Sequence, residues 1–149
     1  MMTQGHDFDR FPELTNTQMD IYYFESPHKQ IFESFDAKVI KVHDGDTITV
    51  RWPERDFDFP IRFSNIDAPE LNEIEGKQAQ SWLEQRLLNQ DITVLVNPRN
   101  RVEKWGRLLG RIIHRGIDIG EEQVAAGLAP TWQGRKEGKI PSIDSMLPQ

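Results

Sequence analysis

The 149-residue chain has no cysteine, a formal net charge of −6 and 37% hydrophobic residues. Disulfides, thiolate metal sites and a cysteine nucleophile are thereby excluded, while the length suits one domain with a real core plus an appendage. No apolar run reaches the roughly 18 residues of a membrane span, and Met1 to Asp7 lacks the basic and apolar regions of a signal peptide, which favours a cytoplasmic setting.

The acidity is unevenly spread. Residues 1–36 hold seven acidic residues against two basic, a net of −5, whereas residues 37–149 hold 17 against 16. Arg99 to Arg115 carries six basic residues and Glu103 alone, so the overall sign does not exclude a nucleic-acid partner. Residues 1–36 show no clean period, yet Ile21-Tyr22-Tyr23-Phe24 and Ile31-Phe32-Glu33-Ser34-Phe35 are too aromatic for a disordered linker. They read as an arm docking through these anchors, on its own domain or on a protein partner, or as an extra strand or turn filling one end of a barrel. Set beside a phosphate-binding face, so acidic an arm would mimic substrate and repel DNA.

From Ala37 the pattern becomes β. Ala37–Val42 and Asp46–Trp52 are two strands joined at Asp44-Gly45, a tight-hairpin signal. After a turn at Pro53–Asp58, a third strand runs from Phe59 to Ile66. Pro69 disfavours helix at Ala68, and a helix follows at about Gly76–Asn89, with Ala79, Trp82, Leu83, Arg86 and Leu87 on one face. Ile92–Val96 is a fourth strand. Lys104-Trp105-Gly106-Arg107 turns into a fifth, Leu108–Ile113. A short helix, about Gly120–Ala126, stops at Gly127, and a poorly ordered polar tail is expected beyond Trp132. The order β-β-β-α-β-β-α predicts a mainly β fold with α (α+β): a five-stranded OB-type barrel with two helices. The domains expected are an arm at 1–36, the barrel domain at 37–132 and a tail at 133–149.

Acidic residues mark both ends of the stretch Val42–Glu70. Asp44-Gly45-Asp46 alone is ordinary turn chemistry, and Asp67 or Glu70 alone could serve a helix start. Their convergence carries more weight, because the strands bearing Asp46 and Asp67 are hairpin partners. Carboxylates gathered in a neutral domain repel unless a cation neutralises them, and an oxygen-only set points to a hard ion, Ca²⁺ or Mg²⁺, rather than zinc. Arg62 and Arg107 each read most simply as a salt bridge. Beside a metal they become planar, bidentate partners for a phosphodiester whose transition state gains charge, with Glu70 free to orient or deprotonate water.

At this point Val39-Ile40-Lys41-Val42-His43-Asp44-Gly45-Asp46-Thr47, Ile61-Arg62-Phe63-Ser64-Asn65-Ile66-Asp67-Ala68-Pro69-Glu70 and Lys104-Trp105-Gly106-Arg107-Leu108-Leu109 resemble the motifs of the staphylococcal-nuclease (thermonuclease) family, in its order and approximate spacing. The likeness covers about Ala37 to Trp132, and Gly127-Leu128-Ala129 resembles the family's ending to its second helix. It implies an OB barrel and a Ca²⁺-dependent nuclease, acting on single- or double-stranded DNA and RNA and leaving 3′-phosphates. It also implies one Ca²⁺ per site on Asp46, Asp67 and the backbone carbonyl of Ala68, with Asp44 touching the ion through water. Catalytic roles fall to Arg62 and Arg107 as phosphate clamps and to Glu70 as the group activating water.

The chain departs from the family pattern in three places. No third helix is evident after Trp132, and no base-stacking tyrosine is found there. Trp105 stands where the family often has tyrosine, and the acidic arm lies outside the pattern. Lys104, Trp105 and Trp132 are the candidates for substrate binding, an aromatic stack contributing about 1–3 kcal/mol per base. The rival reading is a non-catalytic nucleic-acid- or protein-binding module on the same barrel.

Overall fold

Residues 7–131 are described by the structure, a computed structural model. Its centre is a strongly bent antiparallel meander. β1 (Phe35–Asp44) pairs with β2 (Thr47–Arg51), and β2 with β3 (Phe59–Phe63). On its other side β1 pairs with β4 (Asp91–Leu95), which pairs antiparallel with β5 (Leu108–His114). A parallel pairing of β3 with β5, through Ile61↔Leu108, Arg62↔Leu109 and Phe63↔Gly110, closes the ring. The expected five-stranded barrel is therefore present, and closure leaves β2 and β3 without a free edge. A two-residue β6 (Ile117–Asp118) extends β5 into a hairpin.

Alternation explains which side faces in. Val39, Ile48, Val50, Ile61, Val94, Leu108 and Ile112 are all at most 1% exposed and fill the barrel. α2 (Ile74–Leu87) caps it with Ala79, Leu83 and Leu87. This helix ends two residues before the expected Asn89, because β1 captures the chain there: Asn89 N–H donates to the Val39 carbonyl and Val39 N–H to the Gln90 carbonyl, each at 2.9 Å. α3 (Ile119–Ala125) is capped by Asp118, whose carboxylate accepts from Glu121 N–H.

β3 also stops early, at Phe63 rather than Ile66. The Arg62 guanidinium takes the Phe63 and Ile66 carbonyls at 2.7 and 2.8 Å. Ile66 instead bridges Thr131.

The arm differs from its sequence reading. It contains a helix, α1 (Asn16–Tyr22), opened by a capping box in which Thr15 and Gln18 exchange hydrogen bonds, and then a 3₁₀ turn, Tyr23–Glu25. Ile21 is 68% exposed and Phe24 97%, so these two are not anchors on the barrel. Leu14, Gln30 and Ile31 are buried instead, and β1 begins at Phe35, inside the stretch assigned to the arm.

At the centre of the arm lies Glu13, 1% exposed. Its two carboxylate oxygens accept from Arg55 at 2.5 Å and from Arg101 at 2.8 Å, and Ile31 N–H adds a third bond at 3.1 Å. Arg101 also donates to the carbonyls of Ile31 and Leu14 at 2.5 and 2.7 Å. Arg55 lies over the Phe59 ring, 4.4 Å from its centroid.

Candidate active site

The site starts from the turn between β1 and β2. Asp44 Oδ1 accepts from Asp46 N–H at 3.0 Å, a side-chain turn that fixes the tip. Gly45 is sealed in. A Cβ there would come within 2.7 Å of Ala68 Cβ, 2.8 Å of Ala79 Cβ and 2.9 Å of Gln123 Oε1, so only glycine fits. The buried Gln123 donates to the Gly45 carbonyl at 2.7 Å.

Pairing of Thr47 with Arg62 sets the next layer, and Phe63 N–H donates to the Asp46 carbonyl at 2.8 Å. Arg62 thereby arrives beside Asp46. Its Nη2 lies 3.2 Å from Asp46 Oδ2 and 3.0 Å from Asp67 Oδ1, so one guanidinium nitrogen serves both carboxylates. Ala68 N–H donates to Asp46 Oδ2 at 2.8 Å, and Asp67 N–H is tied to the Pro130 carbonyl at 3.1 Å.

Arg107 enters from a different hairpin. Residues 101–109 fold back on themselves: Leu109 N–H donates to the Arg101 carbonyl at 2.8 Å and Glu103 N–H to the Arg107 carbonyl at 2.9 Å. Gly106, at φ +87, makes the tight turn. Glu103 holds Arg107 through Nε at 3.0 Å and through Nη2 at 3.3 Å, leaving Nη1 to donate to Thr47 Oγ1 at 3.2 Å. Thr47 in turn donates to Asp46 Oδ1 at 3.2 Å. A continuous hydrogen-bonded path thus runs from Arg107 through Thr47 and Asp46 to Arg62 and Asp67.

Electrostatics at this corner are unbalanced. Burial, reinforced by the hydrogen bond and charge of Asp44, pushes the Asp46 carboxyl up to about 7, and the pull of Arg62 and the Ala68 N–H does not offset it. Burial would lower the pKa of Arg107, but Glu103, with Asp46 and Asp44 beyond it, raises it. The donors at hand (the Asp46 and Asp67 carboxylates and the Ala68 carbonyl) are all hard oxygens, the kind a Ca²⁺ or Mg²⁺ ion takes while keeping water or substrate oxygens. Among the described residues no three histidine, aspartate or glutamate side chains close on a common point. The residues fit a hard cation as a sparse set, and one that shares its carboxylates with Arg62.

The structure brings Asp46, Arg62, Asp67, Ala68 and Arg107 together, with Asp44 behind the turn. Glu70 is exposed, and among the described residues its carboxylate accepts no hydrogen bond. Trp105 is 64% exposed at the tip of the 101–109 hairpin, with Lys104 Nζ 5.1 Å from its ring centroid. Trp132 and the 133–149 tail lie outside the described residues. The basic stretch is less available than its composition suggests: Arg101 is buried on Glu13, and Arg111 pairs with Asp118 and Glu121.

Three contributors are given no site role by the sequence. Thr47 and Gln123 carry no distinguishing signal there. Glu103 carried one, as the single acidic residue in a basic stretch, four positions before Arg107.

A family model described as staphylococcal nuclease homologue matches residues 60–147. That span contains Arg62, Asp67, Glu70 and Arg107, while Asp46 lies ahead of it and is brought in by the β2–β3 pairing. Two curated relatives, each named an uncharacterized endonuclease, come from Escherichia coli O157:H7 and Escherichia coli. Each is 32% identical over 98 residues, 65% of this chain and 61% of the relative. The chain therefore spans about three fifths of the length of these relatives. With the family model covering more than half of its residues, the chain belongs to the staphylococcal nuclease homologue family.

Proposed function

We propose that the protein is a Ca²⁺-dependent nuclease that hydrolyses phosphodiester bonds of DNA, RNA or both and leaves 3′-phosphates. The observation carrying this reading is the path Arg107–Thr47–Asp46–Arg62–Asp67, which sets two guanidiniums and two carboxylates around one partly open corner. The endonuclease name of the Escherichia coli relatives supports it.

Asp46, Asp67 and the Ala68 carbonyl would hold the cation, which supplies Lewis-acid polarisation of a phosphoryl oxygen. Arg62 and Arg107 bind the remaining phosphate oxygens and stabilise the charge that develops at phosphorus. Arg107 has the reach for this, since its 3.3 Å Nη2 bond to Glu103 is the weaker of the two and can be exchanged for phosphate. Glu70 takes a proton from the attacking water. A P–O bond forms, the P–O5′ bond breaks, and the 5′ oxygen leaves with a proton from solvent.

The test is cleavage of single-stranded DNA and of RNA by the full chain across Ca²⁺, Mg²⁺ and Mn²⁺, with chelator controls. Chelator-sensitive cleavage restored by Ca²⁺ supports the reading. Tight binding without cleavage in any metal overturns it in favour of the non-catalytic module.

A further inference from the structure

Glu13 and Arg107 are 94 positions apart in sequence, yet one hairpin connects them. Arg101, the residue Glu13 holds, opens the 101–109 hairpin, and Arg107 stands at the far side of its turn. The two strands of that hairpin are joined by Leu109 N–H to the Arg101 carbonyl, by the Val102↔Leu108 bridge and by Glu103 N–H to the Arg107 carbonyl. The arm grips the hairpin at both ends. At its base Glu13 and the carbonyls of Leu14 and Ile31 take the Arg101 guanidinium, which is 1% exposed. At its tip the Phe11 ring lies so close to Gly106 that a Cβ there would overlap it. Asn16 adds a bond from Nδ2 to the Pro98 carbonyl at 3.1 Å, ahead of the hairpin.

Leu108 and Leu109 are fixed in the barrel by their pairing with Ile61 and Arg62, but the turn ahead of them has less support. Lys104 and Trp105 at its tip are exposed, and among the described residues the Arg107 side chain is hydrogen-bonded to the rest of the site through Thr47. With Leu108 set by the barrel, the contacts at Arg101 and Gly106 fix the other half of the hairpin and so the direction in which the Arg107 guanidinium emerges.

We propose that Glu13 is a positioning residue for Arg107: through Arg101, and with Phe11 on Gly106, it locks the hairpin so that Arg107 faces the Asp46–Asp67 corner. This rests on the nuclease reading for its catalytic consequence. It gives the acidic arm a role opposite to repelling substrate, because its one buried carboxylate is spent on Arg55 and Arg101 rather than on Arg62 or Arg107.

The test uses the full chain with Glu13→Gln, which keeps the side-chain shape and removes the charge, and with Phe11→Ala, which removes only the contact at the tip. Each is made alone and on top of Arg107→Ala. Cleavage of single-stranded DNA is measured well below the unfolding midpoint and normalised to folded protein. Either change is expected to lower kcat about 10-fold or more with KM within about twofold, and to cost less than about twofold once Arg107 is already alanine, the non-additivity of groups acting through one another. An unchanged kcat, or an equal loss in the Arg107→Ala background, overturns the proposal. Should Glu13→Gln fail to fold, Phe11→Ala decides.

Hydrogen exchange supplies a readout that needs no turnover. The Gly106, Arg107 and Leu109 amides should exchange faster in both variants while those of the β1–β2 hairpin hold, and unchanged protection at those three overturns the positioning. A chain inactive in every form counts against the nuclease reading alone, and the amides still decide this one.

Discussion

Two clusters in this molecule are built from the same parts and behave differently. Around Glu13, one carboxylate meets two guanidiniums with all three groups at most 5% exposed. Around Arg62, one guanidinium meets two carboxylates, and Asp67 stays partly open to water. In the first cluster the carboxylate is saturated by three hydrogen bonds and surplus positive charge lies against aromatic rings. In the second, negative charge is left over, and burial, reinforced by the hydrogen bond and charge of Asp44, pushes the Asp46 carboxyl up to about 7. A closed cluster of charges fixes geometry; an open one, short of positive charge, is disposed to take up a cation or to lose its own arginine to an incoming phosphate.

The contrast breaks most sharply in turnover. Glu70→Gln should lower cleavage by about 10²–10⁴-fold if Glu70 is the general base, and Arg107→Ala by about 10²-fold or more, in single-turnover assays. Arg62→Ala should match Arg107→Ala in activity yet also lower the unfolding midpoint, because it strips bonds to Phe63, Ile66, Asp46 and Asp67. Equal thermal stability of the two variants would erase the distinction between a clamp that also builds the fold and one that does not.

In the closed cluster the larger effect is on stability. Glu13→Ala leaves two buried guanidiniums uncompensated and should cost about 3–5 kcal/mol in denaturant unfolding. Replacing all three charged groups by leucine and methionine should recover much of that loss; a triple variant no better than Glu13→Ala would show that the ion cluster does more than neutralise itself.

Smaller again is the effect of the metal on folding. At a free concentration of 100 times its dissociation constant, Ca²⁺ should raise the unfolding free energy by about 2.7 kcal/mol, and Asp46→Asn or Asp67→Asn should abolish the rise. Calorimetric scans with and without chelator measure this directly. The same scans on Glu13→Gln should keep the Ca²⁺ shift, since that variant leaves the metal corner intact.

The smallest expected effect is a pH dependence near the arm. Burial lowers the pKa of His28 below 6.5, with the Arg55 charge adding to it and the bond to the Pro12 carbonyl opposing it. The unfolded chain therefore takes up the proton first. Stability from this group is fully present above pH 6.5 and falls as pH drops through 6.5 toward the folded pKa. His28→Gln should flatten that part of the profile in thermal melts; an unchanged slope assigns it to another group.

How far the sequence could be read follows from how far apart the partners lie. The Asp44-Gly45 turn and the β2–β3 pairing are local, so alternation alone brought Asp46, Arg62 and Asp67 to one end of a hairpin. Parallel closure of β3 on β5 is not local, and nothing in the run Leu108–Ile113 states which strand it will meet. Glu13 was counted as one of seven acidic residues in an arm, because its partners come 42 and 88 positions later and charge counting cannot separate a solvated carboxylate from a buried one. Of the expected anchors, Ile31 and Phe35 are buried in the core, whereas Ile21 and Phe24 are exposed. Ile21 and Phe24 sit on α1 and the turn after it, neither of which has a buried residue.

The strap between Asp67 and Pro130, and the Gln123 amide on Gly45, have a consequence for how the protein is made. A ribosome releases the β1–β2 hairpin long before it adds residues 123 and 130. Until those arrive, the Asp46 turn lacks its last hydrogen bond and Asp67 has no carbonyl to hold its backbone. A chain ending between residues 107 and 123 would therefore hold every proposed catalytic residue yet lack both of these ties to the site.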